Sequence, residues 1–196
     1  SASGWAQGGI AAALSPEDSP EKHVQDTLIA GAGLCQESTV RFIADHAREA
    51  IHWLIDQGVE FTRDDRNGTG YHLTKEGGHS VRRIIHSGDA TGNAVQQALI
   101  EKVRNAPNIH IFEQHIAIDL ITSDKTGDNP RQQSKRCFGA YILDKANRSV
   151  RTFTAQHTVL ATGGANKVYL YTTNPDTATG DGIAMGWRAG CRVTNM

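Results

Sequence analysis

Thr158-Val159-Leu160-Ala161-Thr162-Gly163-Gly164, TVLATGG, reads as a short buried strand running straight into a glycine turn. Two other glycine-rich elements sit where a strand or loop passes into a helix: Gln7-Gly8-Gly9, and Thr179-Gly180-Asp181-Gly182. Junctions of this kind expose backbone N–H groups and the positive end of a helix, which suits a phosphate or an anionic ring edge. Any one of the three alone is an ordinary turn. Three together, one of them fed by a strand, point to a dinucleotide cofactor. The GxGxxG fingerprint does not occur in these residues, so pattern alone carries the reading no further.

Outward from that stretch the chain alternates helix and strand. Ser15 to Pro20 is turn material rich in capping residues and acids, and Val24, Leu28 and Ile29 give the helix after it an apolar face until Gly31 and Gly33. A second helix is predicted from about Ser38 to Gln57, with Val40, Ile43, Ala47, Ile51, Leu54 and Ile55 three and four residues apart and Gly58 as its stop. Val59 to Thr62 reads as a strand, Asp64 to Gly70 as a turn, and Thr91 to Arg104 as a helix striped by Val95, Leu99 and Val103. His110 to Thr122, Cys137 to Leu143 and Val150 to Ala155 read as a strand and a small antiparallel meander. Gly180-Asp181-Gly182 opens a last helix whose face carries Ile183, Met185, Trp187 and Ala189. The predicted architecture is α/β and nucleotide-binding, with an inserted meander.

The densest chemistry lies in Tyr71 to Gly92, YHLTKEGGHSVRRIIHSGDATG. Gly77 and Gly78 remove side-chain bulk and permit positive φ, so the backbone can pass close to a ligand while Glu76 faces it. His72, His79 and His86 recur every seven residues, but the glycines between them break any continuous helix and no cysteine completes a ligand set, so no metal is expected. His79, directly after the double glycine, is the histidine best placed to face a site. Arg82 and Arg83 could hold a carboxylate or phosphate bidentately, although on a strand one of the two would point away. Asp89 and Thr91 fit a helix cap, and Trp5, Trp53 and Trp187 are most simply packing residues.

The totals exclude more than they assign. The chain has 196 residues, 38% of them apolar and 21% charged, which fits a globular protein with one sizeable core. A net charge of -1 gives no electrostatic reason to expect a nucleic acid or an anionic membrane. No apolar run reaches the roughly 20 residues that span a bilayer. Cys35, Cys137 and Cys191 are odd in number and in no CxxC pattern, which suits reduced thiols in a cytoplasmic protein. Ser1 falls inside a glycine-rich motif and Met196 follows a strand-like segment, so a fragment of a longer protein is expected.

WAQGGIAA, HVQDTLIAGAGL, WLIDQGV, YHLTKEGGHS, RRIIHSGDATG, VLATGGANKVY and TTNPDTATGDGIAMGWRAGC, in that order, resemble the succinate dehydrogenase and fumarate reductase flavoprotein family over essentially the whole chain. The match is closest to its L-aspartate-oxidising branch. The resemblance implies a Rossmann-like FAD-binding domain with an inserted antiparallel β-meander, lacking its first strand, whose GxGxxG would precede Ser1, and the capping domain, which would follow Met196. Ala2, Ser3, Gly4, Trp5, Ala6, Gln7, Gly8 and Gly9 would wrap the flavin ring and pyrophosphate side. Ile116 and Ala117 would meet the adenine end, Ala161, Thr162 and Gly163 would line the cleft, and Asp181 would bond the cofactor. In membrane-bound relatives a histidine five residues before the motif glutamine holds FAD covalently; here that position is Ala2, so the resemblance implies a non-covalent flavin.

The resemblance also singles out Glu76. Succinate and fumarate are plain dianions, whereas aspartate carries an ammonium group. A carboxylate aimed into the site would pair with that ammonium or orient the substrate. The implied reaction takes L-aspartate to iminoaspartate, with hydride passing from carbon to flavin N5 and electrons going on to oxygen or fumarate. That is the first step of de novo NAD biosynthesis, and the product would pass to quinolinate synthase. The catalytic arginine and the carboxylate-binding residues of the family come from later sequence, so this chain alone would be inactive. Two alternatives stay open, a soluble fumarate reductase or succinate dehydrogenase flavoprotein and a non-enzymatic fragment.

Overall fold

Ser19 starts the first long helix as its sequence suggests. Its backbone is extended, its hydroxyl accepts from the Lys22 amide, and Pro20 takes the first helical position. The structure, a computed structural model, describes residues 2–126 and 135–194. The chain divides into two units, one spanning Ser3–Ile109 and the other running from His110 onward.

The first unit contains β1 (Ile10–Ala11), α1 (Pro20–Ala30), α2 (Glu37–Asp56), β2 (Arg63–Asp64), β3 (Gly70–Tyr71), β4 (Leu73–Thr74), β5 (Ile84–Ile85) and α3 (Thr91–Asn105). Its small sheet has the order β1-β5-β4, with Ile85 paired to both Ile10 and Leu73. Ala12, Ile51, Val59, Phe61, Leu73 and Ile85 form the core, joined by Ala47, Leu54, Ile55 and Val95 from the helix faces. These are residues whose three-and-four spacing marks the helices. On that stripe Ile43 stays exposed and Val40, half-buried, does not join this core.

Val59 to Thr62 forms no strand. Val59 and Phe61 point into the core while Glu60 and Thr62 face out, so the alternation is present without a ladder. Isolated backbone bonds hold the segment instead: Thr62 N–H donates to the His86 carbonyl (2.8 Å) and His72 N–H to the Thr62 carbonyl (2.9 Å). α3 likewise starts without a side-chain cap: Ala90 is its N-cap, and the Thr91 hydroxyl accepts from the Ser87 amide rather than from the helix.

The second unit contains β6 (His115–Thr122), α4 (Ser123–Thr126), β7 (Cys137–Asp144), β8 (Ser149–Thr154) and α5 (Asp181–Arg188). β6, β7 and β8 pair in consecutive antiparallel order, and Leu120, Ala140 and Met185 make the core against which Ala117 and Ile142 pack. The expected buried strand at 158–161 does not form. Its residues are exposed, Val159 at 85%, because no strand among the described residues supplies the hydrogen-bonded neighbour a strand requires. Every strand pair among the described residues is antiparallel. The three tryptophans are not core packing: Trp5, Trp53 and Trp187 are all more than half exposed. No helix among the described residues is long and apolar enough to cross a membrane.

Candidate functional site

In the first unit the glycine-rich opening segment rests on the start of α3. Ser3–Trp5 is a turn of 3-10 helix closed by the Ala6 amide on the Ser3 carbonyl (3.2 Å), and the Gly92 amide then donates to the Ala6 carbonyl (2.9 Å). Gly92 has no room for a side chain, because a Cβ there would stand 2.8 Å from the Ala6 Cβ. Gln7, Gly8 and Gly9 follow as exposed backbone, and a Cβ on Gly8 would lie 3.2 Å from Glu76 Oε1. Glu76 and the two glycine turns predicted to serve a ligand therefore meet at one surface. The turn after Glu76 closes through the His79 amide on the Glu76 carbonyl (3.3 Å), with Gly78 at φ 83°, a left-handed conformation that glycine adopts without strain.

His79, the histidine expected to face a site, is half-buried with its ring toward Arg83 and His23. Its Nδ1 lies 3.4 Å from Arg83 Nη1, and its ring packs against His23 with centroids 5.9 Å apart. A guanidinium only donates, so Nδ1 is the acceptor. His72 and His86 bond one another instead (Nδ1 to Nε2, 2.7 Å), which dissolves the seven-residue pattern.

Arg82 and Arg83 part, although neither lies in a strand. Arg82 is exposed and reaches the Leu73 carbonyl, whereas Arg83 is fully buried. Arg83 meets Asp18 through Nε–Oδ2 and Nη2–Oδ1, both 2.9 Å, and Asp26 through Nη1–Oδ2, 2.7 Å. Asp26 Oδ2 also accepts from the Ser80 amide and hydroxyl, each at 2.8 Å. Desolvation pushes the Asp26 carboxyl up, but the two Ser80 bonds and Arg83 outweigh it and leave the pKa below its ordinary value. Desolvation, and then the nearby Arg83 charge, hold His23 below the usual histidine range.

Sequence reasoning missed this network. Asp18 looks like turn material and Asp26 like a solvent-facing helix residue. The available signal was the three-and-four spacing of His23, Asp26 and Ala30, which places them on one face of α1.

In the second unit the Ala161–Gly164 loop lies on the start of α5. The Gly180 amide donates to the Gly164 carbonyl (3.1 Å), and a Cβ on Gly182 would stand 2.6 Å from that of Thr162. Gly180, φ 81°, is the N-cap of α5 and offers no side-chain bond, so the N-terminal end of the helix presents bare amides. Asp181 accepts from the Thr179 hydroxyl at 2.7 Å. Ile116 is 46% exposed on β6, while Ala117 faces the core that includes Met185.

Both units offer what a flavin dinucleotide needs. The first has uncovered backbone at Gln7–Gly9 beside exposed Trp5. The second has an uncapped helix start for a phosphate, a carboxylate that already takes a hydroxyl donor, and open space around Gly163. The donor set fits the group.

The family model described as FAD binding domain matches residues 1–196. The chain is 62% identical over 195 residues to L-aspartate oxidase 1 of Ralstonia nicotianae, covering all of this chain and 36% of that protein. It is 57% identical to the L-aspartate oxidase of Pseudomonas aeruginosa, covering 98% of this chain and 36% of that protein. It thus spans about a third of the length of these curated relatives. Among solved structures, an E. coli quinol fumarate reductase superposes with a TM-score of 0.86 at 27% identity, covering 96% of this chain and 30% of that one.

Proposed function

The chain belongs to the FAD binding domain family, among the succinate dehydrogenase and fumarate reductase flavoproteins, and from that premise we propose that it is the FAD-binding part of an L-aspartate oxidase. The observation that carries the proposal is the Glu76 carboxylate beside the bare Gly8 backbone. An exposed carboxylate at a flavin-binding turn attracts an ammonium group and repels a plain dicarboxylate. At the α-carbon of L-aspartate the leaving hydride and the adjacent N–H proton convert the amine to the imine of iminoaspartate. Bound FAD supplies the two-electron acceptor, and oxygen or fumarate takes the electrons onward.

Ala2 to Gly9, including Ser3, Gly4, Trp5, Ala6, Gln7 and Gly8, are the proposed flavin-facing residues of the N-terminal segment. Ile116, Ala117, Ala161, Thr162, Gly163 and Asp181 are those of the second unit. Because Ala2 has no nucleophilic side chain, the proposed flavin is non-covalent. Iminoaspartate is reactive and calls for an enzyme that consumes it at once, which fits quinolinate synthase, NAD biosynthesis and a cytoplasmic setting.

The likeness to a quinol fumarate reductase favours a second reading, a fumarate reductase or succinate dehydrogenase flavoprotein. Glu76 and Ala2 argue against it. The complete gene product decides between them. It is expected to purify yellow, release its flavin on acid precipitation and oxidise L-aspartate but not succinate. Oxidation of succinate alone overturns the proposal.

A further inference from the structure

The turn that carries Glu76 touches α1 at Ser80 and Gly78, in addition to the packing of the His79 ring against His23. Ser80, four residues after Glu76, gives both its amide and its hydroxyl to Asp26 Oδ2, at 2.8 Å each. Gly78 lies against the C-terminal end of the same helix, since a Cβ there would stand 3.6 Å from the Ala30 Cβ. Asp26 is itself fixed, because the buried Arg83 holds it at 2.7 Å while gripping Asp18 with its other two nitrogens. Arg83 is anchored by its main chain too. Its amide donates to the Thr74 carbonyl (3.2 Å), and its carbonyl accepts from the Ala12 amide (3.0 Å). A rigid line therefore runs from the sheet through Arg83 and Asp26 to Ser80, and only Gly77, Gly78 and His79 separate its end from Glu76.

We infer that Asp26 and Ser80 are positioning residues, a latch that holds the Glu76 turn on α1 and so fixes the distance from the Glu76 carboxylate to the Gly8 backbone. The inference rests on the aspartate-oxidase reading for its functional consequence, not for the latch itself. Without the latch a two-glycine turn samples many conformations, and a carboxylate off its position loses its preference for one substrate over another. Two hydrogen bonds to one charged oxygen are strong enough to restrain it.

Ser80→Ala removes the hydroxyl bond and leaves the Asp26–Arg83 pair intact, so folding is preserved. In the FAD-loaded complete gene product it is expected to lower the ratio of aspartate to succinate kcat/KM about tenfold, chiefly through a higher KM for aspartate. Hydrogen exchange at the amides of 76–80 should accelerate while those of α1 do not, and Ser80→Thr, which keeps the hydroxyl, should restore both readouts. Unchanged exchange in Ser80→Ala overturns the latch whichever substrate is turned over. Faster exchange with an unchanged substrate ratio overturns its positioning role. Wild-type failure to oxidise aspartate sinks the underlying reading and leaves the exchange result to decide on the latch.

Discussion

Glu76 looks onto the missing side chain of Gly8: a Cβ built there would stand 3.2 Å from Oε1, closer than most real Cβ contacts allow. Glycine at position 8 is thus a matter of space, since its φ is not in the left-handed region. Gly8→Ala keeps an accessible backbone and moves the carboxylate by a few tenths of an ångström. The expected outcome is a folded, flavin-containing protein whose KM for aspartate rises by roughly threefold to tenfold with little change in kcat. Steady-state kinetics check it, and an unchanged KM would mean that Glu76 tolerates displacement.

Glu76→Gln tests the charge rather than the position. The amide keeps the shape and loses the attraction for an ammonium group. Aspartate kcat/KM is expected to fall by about 10 to 100-fold, the scale of one charged hydrogen bond, while succinate or fumarate turnover rises. Parallel assays with the two substrates give the ratio, and an unaltered ratio removes Glu76 from selectivity.

Arg83 is a buried cation between two carboxylates, with no exposed surface of its own. Replacing it by methionine leaves Asp18 and Asp26 facing each other uncompensated. Truncating one side of such a buried group costs about 3–5 kcal/mol. Urea denaturation should show a clearly lower midpoint for Arg83→Met. A loss under about 1 kcal/mol would mean water reaches the carboxylates in the variant.

The same cluster sets a pH dependence. His23 is buried beside Arg83, His79, Asp18 and Asp26, and desolvation, helped by the Arg83 charge, lowers its pKa from 6.5. The unfolded chain therefore binds the proton more readily than the folded one. Stability from this residue is fully present above pH 6.5 and declines as pH falls through the window beneath it. Denaturation midpoints between about pH 5 and 8 should fall on the acid side, and His23→Gln should flatten that slope.

What could be read from the chain divides by locality. The ends of α1, α2 and α3 follow from Ser19, Gly58 and Pro107, because caps and breakers act within a turn of the residue that carries them. Residues 158–161 form no strand for the opposite reason: a ladder is a property of two segments, and an apolar run says nothing about its partner. Arg83 shows the same limit. Adjacent arginines at 82 and 83 reveal that one of them turns inward. Only the fold shows that Asp18 and Asp26, more than fifty residues away, are waiting there.

Gly182 leaves no room for a side chain beside Thr162. A Cβ there would lie 2.6 Å from the Thr162 Cβ and 2.9 Å from its Cγ2, both on the stiff, β-branched part of the side chain. Gly182→Ala cannot be absorbed by a rotamer change, so the Ala161–Gly164 loop must lift off the start of α5. The helix itself should survive, because alanine favours it by up to about 1 kcal/mol over glycine. Lost loop docking with a retained helix predicts weaker cofactor binding rather than unfolding. In the complete gene product, FAD affinity measured by flavin fluorescence is expected to drop about tenfold or more, with far-ultraviolet circular dichroism unchanged. Full FAD affinity in Gly182→Ala would mean that the close fit between Thr162 and Gly182 serves packing alone, and that the proposed cofactor role of Ala161, Thr162 and Gly163 does not depend on it.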